Sequence, residues 1–189
     1  MENRFNLMDQ KITGGAGMPD AWQRLWAPHR LSYLEGENRP APADEANSDG
    51  CPFCRIPKLS DEEGLIVARG KEVYLVMNLY PYNAGHVLTC TYRHVADLTD
   101  LTSSEKSEMF DFTSHAMKVL RKVSRANGFN IGINQGAVSG AGVAGHIHQH
   151  LIPRWAGDAN FMPLIGKTKV LPQLLNETRE QLANAWNQV

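Results

Sequence analysis

The sequence predicts an α+β fold: a mainly antiparallel sheet of about five strands with one long helix, and a second helix at the C-terminus. Three observations carry that expectation. Short apolar, β-branched runs bounded by turn residues recur through the middle of the chain. One long stretch has apolar residues at helical spacing. The strands come in runs and do not alternate regularly with helices.

Taken in order, residues 1–20 are polar, with a Gly14-Gly15-Ala16-Gly17 cluster, and are expected to form a flexible terminus. Residues 21–189 are expected to form a single domain. Within it, Trp22, Leu25, Trp26, Leu31 and Leu34 suit a short helix and turn, and residues 35–50 read as a loop. Leu65–Ala68 and Val73–Met77 read as a hairpin turning at Arg69-Gly70-Lys71, and a third strand runs from His86 to Thr91. Leu101–Asn127 reads as the long helix, with Met109, Phe112, Ala116, Val119, Leu120 and Val123 on one face. Ser103 or Ser104 is its expected N-cap and Gly128 its stop. Phe129–Asn134 and Gly145–Ile152 read as the last two strands. Thr168–Trp186 reads as the terminal helix, with a break expected at Pro172.

Composition narrows the function classes. Hydrophobic residues make up 42% and charged residues 21%, the balance of a soluble globular protein. The net charge of −1 and pI of about 6.6 offer no general attraction to nucleic acid or anionic membrane, so an anionic ligand needs a local site. Met1–Gln10 lacks the apolar core of a signal peptide, and no apolar run has the length of a membrane span. Three cysteines, two of them in a C-x-x-C, fit a reducing compartment better than a disulfide scaffold, which predicts a cytoplasmic protein.

The most informative segment is His146-Ile147-His148-Gln149-His150-Leu151-Ile152. As a strand it puts three imidazoles on one face, about 6.5–7 Å apart, and turns Ile147, Gln149 and Leu151 to the other. Three unrelated solvent-facing histidines are one alternative, and a three-histidine metal site is another. Upstream, Asn134 to Gly145 is dominated by small residues, so its backbone can approach phosphate oxygens closely. Gly140 to Gly145 matches G-x-G-x-x-G literally, but a strand follows it where a dinucleotide fold needs a helix. A phosphate cradle running into a histidine strand suits nucleophilic attack on phosphorus by a neutral imidazole. Cys51-Pro52-Phe53-Cys54 has two readings of its own: a redox pair, which needs a helix that Pro57 opposes, or a structural zinc site closed by two histidines.

The histidine segment resembles the signature of the histidine-triad (HIT) family, His-φ-His-φ-His-φ-φ with φ apolar; Gln149 is the one departure. Val76 to Leu88 is similar to that family's nucleoside-binding strand and turn, and Arg93-His94-Val95 to the segment after it. The resemblance covers roughly Asp49 to Trp155. Leu25 to Arg30, Leu59 to Gly64 and Pro153 to Phe161 are similar to the family's bacterial diadenosine tetraphosphate phosphorylase/hydrolase branch. That branch carries a serine near Gly142, so this chain lacks one hydroxyl donor there.

The resemblance implies a HIT-like sheet and a nucleotidyl transferase or hydrolase that cleaves dinucleoside polyphosphates. His148 would be the nucleophile, and His150 would contact the reacting phosphate and assist the leaving group. Asn134 and the backbone of Gly142 and Val143 would hold phosphate oxygens; Asn78 would meet the ribose, with Leu79 and Tyr80 flanking the base. His86 would be either a supporting residue or a buried structural histidine. Zinc-bearing members imply a structural Zn on Cys51, Cys54, His94 and His146, which leaves His148 free. Cys90 is expected in the core. A homodimer is implied, with no nucleic-acid or membrane partner. A phosphoramidase, a nucleotide-binding regulatory module and a thiol oxidoreductase are the competing functions.

Overall fold

The computed structural model of the chain describes residue 48, residues 50–158 and residues 172–189. The expectations for residues 1–20, for a helix within 21–34, for most of the loop over 35–50 and for residues 168–171 lie outside the described residues; the terminal helix begins at Leu175, later than expected and beyond Pro172.

Among the described residues the elements run in this order: a one-turn helix α1 (Pro52–Arg55), strands β1 (Ile66–Arg69), β2 (Val73–Met77) and β3 (Val87–Thr91), the long helix α2 (Ser103–Ser124), strands β4 (Gly128–Ile133) and β5 (His148–Arg154), and helix α3 (Leu175–Trp186). The five strands form one sheet in the order β1-β2-β3-β5-β4, and every neighbouring pair is antiparallel. The predicted α+β class and strand number are those observed.

Both faces of the central strands are covered, which is why β2 and β3 are buried at every position. On one face Leu75, Met77, Val87 and Leu151 pack against Ala116, Val119 and Leu120 of α2 and Leu182 and Ala185 of α3. On the other, Tyr74, Val76, Leu88 and Cys90 pack against Cys51 and Phe53. The period-two alternation therefore selects between two apolar layers and not between core and water. The short α1 segment makes that second layer, and the tyrosine hydroxyl of Tyr74 donates to the Phe53 carbonyl at 2.7 Å to hold it there.

Several boundaries shift. Helix α2 is capped by Thr102 and not by either serine: its hydroxyl accepts from Glu105 N–H while the Glu105 carboxylate accepts from Thr102 N–H. The helix ends at Arg125, in a left-handed conformation, before Gly128 is reached. Strand β5 starts at His148, three residues later than expected. The Ile147 N–H is instead taken by the Val95 carbonyl at 2.7 Å, so Gly145 to Ile147 lie outside the ladder. A helical turn does follow Cys51, and it stops after four residues, as Pro57 requires.

The β1–β2 turn is held by a contact the sequence did not announce. The Glu108 carboxylate on α2 accepts from the N–H groups of Lys71, Glu72 and Val73. Gly70 is needed at that contact, because a Cβ there would meet Glu108 Oε1 and Phe112 Cζ, both at 2.7 Å. Glu108→Ala strands those donors and is expected to lower unfolding stability by about 1–3 kcal/mol, read from urea denaturation.

Candidate active site

Strand β5 brings the histidines together against β3, with Cys90 opposite His148 and Leu88 opposite His150. All three imidazoles are buried, and each meets a different partner. His146, just ahead of the strand, faces the α1 segment: its Nδ1 lies 3.3 Å from Cys51 Sγ and 3.4 Å from Cys54 Sγ. Its Nε2 donates to the Thr91 carbonyl at 2.9 Å, which leaves Nδ1 unprotonated toward the sulfurs. His94 Nδ1 lies 3.2 Å from Cys54 Sγ. The ligand atoms of Cys51, Cys54, His94 and His146 all fall within 4.8 Å of one another, so these four residues can hold a metal ion. Arg93 anchors the His94 segment through a paired contact with Glu105, at 2.9 and 2.7 Å.

His148 has a different arrangement. Its Nδ1–H donates to the His146 carbonyl at 2.8 Å, so the lone pair is on Nε2. The ring is 5% exposed and lies 4.7 Å from the Phe53 ring. Burial lowers its pKa below the ordinary histidine value, which favours the neutral ring. Burial, with the neighbouring His148, lowers His150 to about 4.

The protonation of His150 follows from its neighbours. Tyr82 N–H donates to His86 Nδ1 at 3.0 Å, so a neutral His86 carries its proton on Nε2. His86 Nε2 is 3.0 Å from His150 Nδ1 and donates to it. The His150 proton is then on Nε2, a buried atom with no hydrogen-bond partner among the described residues. An unpaired donor in that position is free for a ligand oxygen. His86, fully buried, is thus both structural and one bond removed from the reacting end of His150.

Gln149, the departure from the apolar pattern, points into the opposite layer as expected and accepts from the Thr113 hydroxyl of α2. Cys90 is fully buried, as expected of a core residue. Burial first, then Cys51, pushes the Cys54 thiol up to about 11, the reverse of the lowered pKa a redox thiol uses.

The remaining predicted residues lie around this centre. Asn78 closes β2, with its Nδ2 3.2 Å from His86 Nδ1 and its Oδ1 accepting from Tyr80 N–H. Leu79 and Tyr80 stand out from the turn, 60% and 75% exposed. Asn134 follows the last paired residue of β4, Ile133, which lies opposite Gln149. Gly142 is exposed, and Val143 packs partly on the layer containing Phe53. Gly136 and Gly140 take φ of +78° and +87°, and Gln135 ties their loop to Asp97 and Leu98. Tyr82 and Phe53 touch the histidines without having been singled out; aromatic identity was the only signal either offered.

Comparison with known proteins agrees with this arrangement. A family model described as the HIT domain matches residues 61–157. An AP-4-A phosphorylase of Mycobacterium tuberculosis is 51% identical over 172 residues, covering 91% of this chain and 88% of that protein. A bis(5'-nucleosyl)-tetraphosphatase (asymmetrical) of Schizosaccharomyces pombe is 42% identical over 89 residues, 47% of this chain and 48% of its own. Among solved structures, a Zn-bound histidine triad family protein from Mycobacterium smegmatis aligns with a TM-score of 0.60 and 25% identity, covering 75% of this chain and 96% of that one. The chain belongs to the histidine-triad family.

Proposed function

We propose that this protein cleaves dinucleoside polyphosphates, of the diadenosine tetraphosphate type, by transferring a nucleotidyl group through His148, with inorganic phosphate as acceptor. The observation that carries the reading is the free Nε2 of a neutral His148 set beside the unpaired Nε2–H of His150. The 51% identity to a protein named AP-4-A phosphorylase favours phosphate over water as acceptor.

The chemistry balances with these residues. His148 Nε2 attacks the α-phosphorus and forms a P–N bond as the bridging P–O bond breaks. The electron pair leaves on the departing polyphosphate oxygen, to which His150 Nε2–H donates a hydrogen bond. A phosphate oxygen then attacks the same phosphorus, and the P–N electron pair returns to His148. Asn134 and the backbone at Gly142 and Val143 hold the phosphoryl oxygens, while Asn78, Leu79 and Tyr80 receive the nucleoside.

Cys51, Cys54, His94 and His146 bind a structural zinc in this reading. Tetrahedral bonds of about 2.3 Å to sulfur and about 2.0 Å to nitrogen hold unlike ligand atoms roughly 3.5 Å apart. The sulfur–nitrogen separations of 3.2, 3.3 and 3.4 Å are near that. The Thr91 carbonyl on His146 Nε2 supplies the outer hydrogen bond that orients a metal-bound imidazole. When bound, the metal supplies no reacting group; it fixes the segment from which His148 projects. The reading also includes a cytoplasmic homodimer that acts on free nucleotides. Strand β4, at the sheet edge with Ile131 exposed, is the surface available for joining sheets.

Incubation with diadenosine tetraphosphate should yield ADP and ATP only when phosphate is present, and His148→Ala should abolish turnover. AMP and ATP formed without phosphate would make the protein a hydrolase, and turnover of phosphoramidates alone would sink the substrate assignment. The purified protein should hold one equivalent of zinc per chain by elemental analysis; Cys54→Ser should reduce it, and a metal-free wild type would remove zinc from the account. Since the nucleophile must be neutral and burial lowers its pKa, kcat/KM should fall on acidification with a midpoint below the ordinary histidine value of about 6.5. An acid limb at or above 6.5 would contradict that environment.

A further inference from the structure

We propose that Tyr82 is a positioning residue for His150, its ring holding the imidazole so that the unpaired Nε2–H faces the departing oxygen. The inference rests on the reaction proposed above, and adds to it a residue outside the histidine signature.

Tyr82 touches both histidines of the pair in two ways. Its backbone N–H sets the proton of His86, and through His86 that of His150. Its ring lies nearly parallel to His150, at 11° and 5.9 Å between centroids, and tilted on His86 at 4.9 Å. A 180° turn of the His150 ring about Cβ–Cγ would put Cδ2 where Nδ1 now accepts from His86 and Cε1 where Nε2–H now points, and the ring must sweep out of its own plane to make it. An aromatic ring stacked on that plane blocks the sweep. The same ring shields the His86–His150 hydrogen bond: Tyr82 is 49% exposed, while His150 is 8% exposed. With the tyrosine gone, water reaches the bond and competes for His150 Nδ1.

The turn carrying Tyr82 is built to hold that ring in place. Asn83 donates to the Pro153 carbonyl at 3.1 Å and to Asp158 at 2.9 Å. Asp158 is itself gripped by both ends of the Arg154 guanidinium, at 2.7 and 2.8 Å. Gly85, with φ of +72°, lets the chain close toward β3 where a Cβ would press on Leu120 and Pro153. The turn is thereby tied to the end of β5, the strand on which His150 sits.

His150 acts by hydrogen-bonding the departing oxygen while keeping its own proton. Its effect therefore grows with the negative charge that oxygen must bear. Diadenosine tetraphosphate should depend on it strongly. The 2,4-dinitrophenyl ester of AMP should depend on it little, because dinitrophenolate is a far weaker base than the terminal polyphosphate oxygen and leaves readily unaided. Both substrates use the same His148.

The test measures wild type, Tyr82→Phe, Tyr82→Leu and His148→Ala on both substrates, with urea midpoints recorded for each. Tyr82→Leu should lose about 10- to 100-fold in kcat/KM on the tetraphosphate while staying within about 3-fold on the dinitrophenyl ester. Tyr82→Phe, which keeps the ring, should match wild type on both. Equal losses on the two substrates, or no loss on either, would overturn the proposal, as would a Tyr82→Phe as impaired as Tyr82→Leu. Failure of the parent reading looks different: wild type would then leave the tetraphosphate intact, or His148→Ala would retain turnover.

Discussion

The bond from His148 Nδ1–H to the His146 carbonyl, 2.8 Å long, is the interaction around which the site is organised. It decides which nitrogen of His148 carries the lone pair. It also makes the orientation of that ring depend on the backbone of the residue before last. His146 in turn is held by Thr91 on one side and faces two cysteines on the other. Anything that steadies the four-residue cluster steadies the carbonyl, and with it the orientation of the His148 ring. A structural cluster and a reactive centre thus share two residues of backbone.

The layering of the sheet makes that sharing possible. With helices on one face only, β5 would present its histidines to water, and they would lose the burial that keeps them neutral. The Cys51–Arg55 segment forms the second layer. Phe53 brings its ring to both His146 and His148, and the Tyr74 hydroxyl pins its carbonyl. On the opposite layer Gln149 bonds Thr113, so the strand is gripped from behind at the residue between the two reacting histidines. A polar residue in the apolar pattern becomes a tie to α2, and a buried carboxamide in that place is tolerated because it is paired.

What was legible in the sequence divides along physical lines. Strands β2 and β3 could be read because β-branched and aromatic runs mark a strand even when both faces are buried. The start of β5 could not: Ile147 N–H bonds Val95, a long-range partner that no local pattern records. The cap of α2 lies one or two residues ahead of the expected serines because Thr102, Ser103 and Ser104 are all competent caps, and the Glu105 reciprocal bond chooses among them. The four-residue Cys/His cluster came from the family resemblance, and the structure brings those side chains within reach of one another. His86 remained two-sided because its role depends on which nitrogen Tyr82 occupies, a fact of backbone geometry.

His146, just ahead of β5, and His148 and His150 within it differ in their partners, and that difference separates their chemistry. The same imidazole is placed three times at a period of two. Each is told what to do by the atom that meets its second nitrogen. A backbone carbonyl on Nε2 of His146 turns Nδ1 toward the sulfurs. A backbone carbonyl on Nδ1 of His148 turns a lone pair on Nε2 outward. A donor on Nδ1 of His150 leaves a proton on Nε2. In the proposed reaction the set presents a metal ligand, a nucleophile and a hydrogen-bond donor side by side, all neutral, with no carboxylate among the three. Exchanging the histidines' roles would require moving the carbonyls that meet His146 and His148 or the His86 ring that meets His150, so their order is set by what surrounds them.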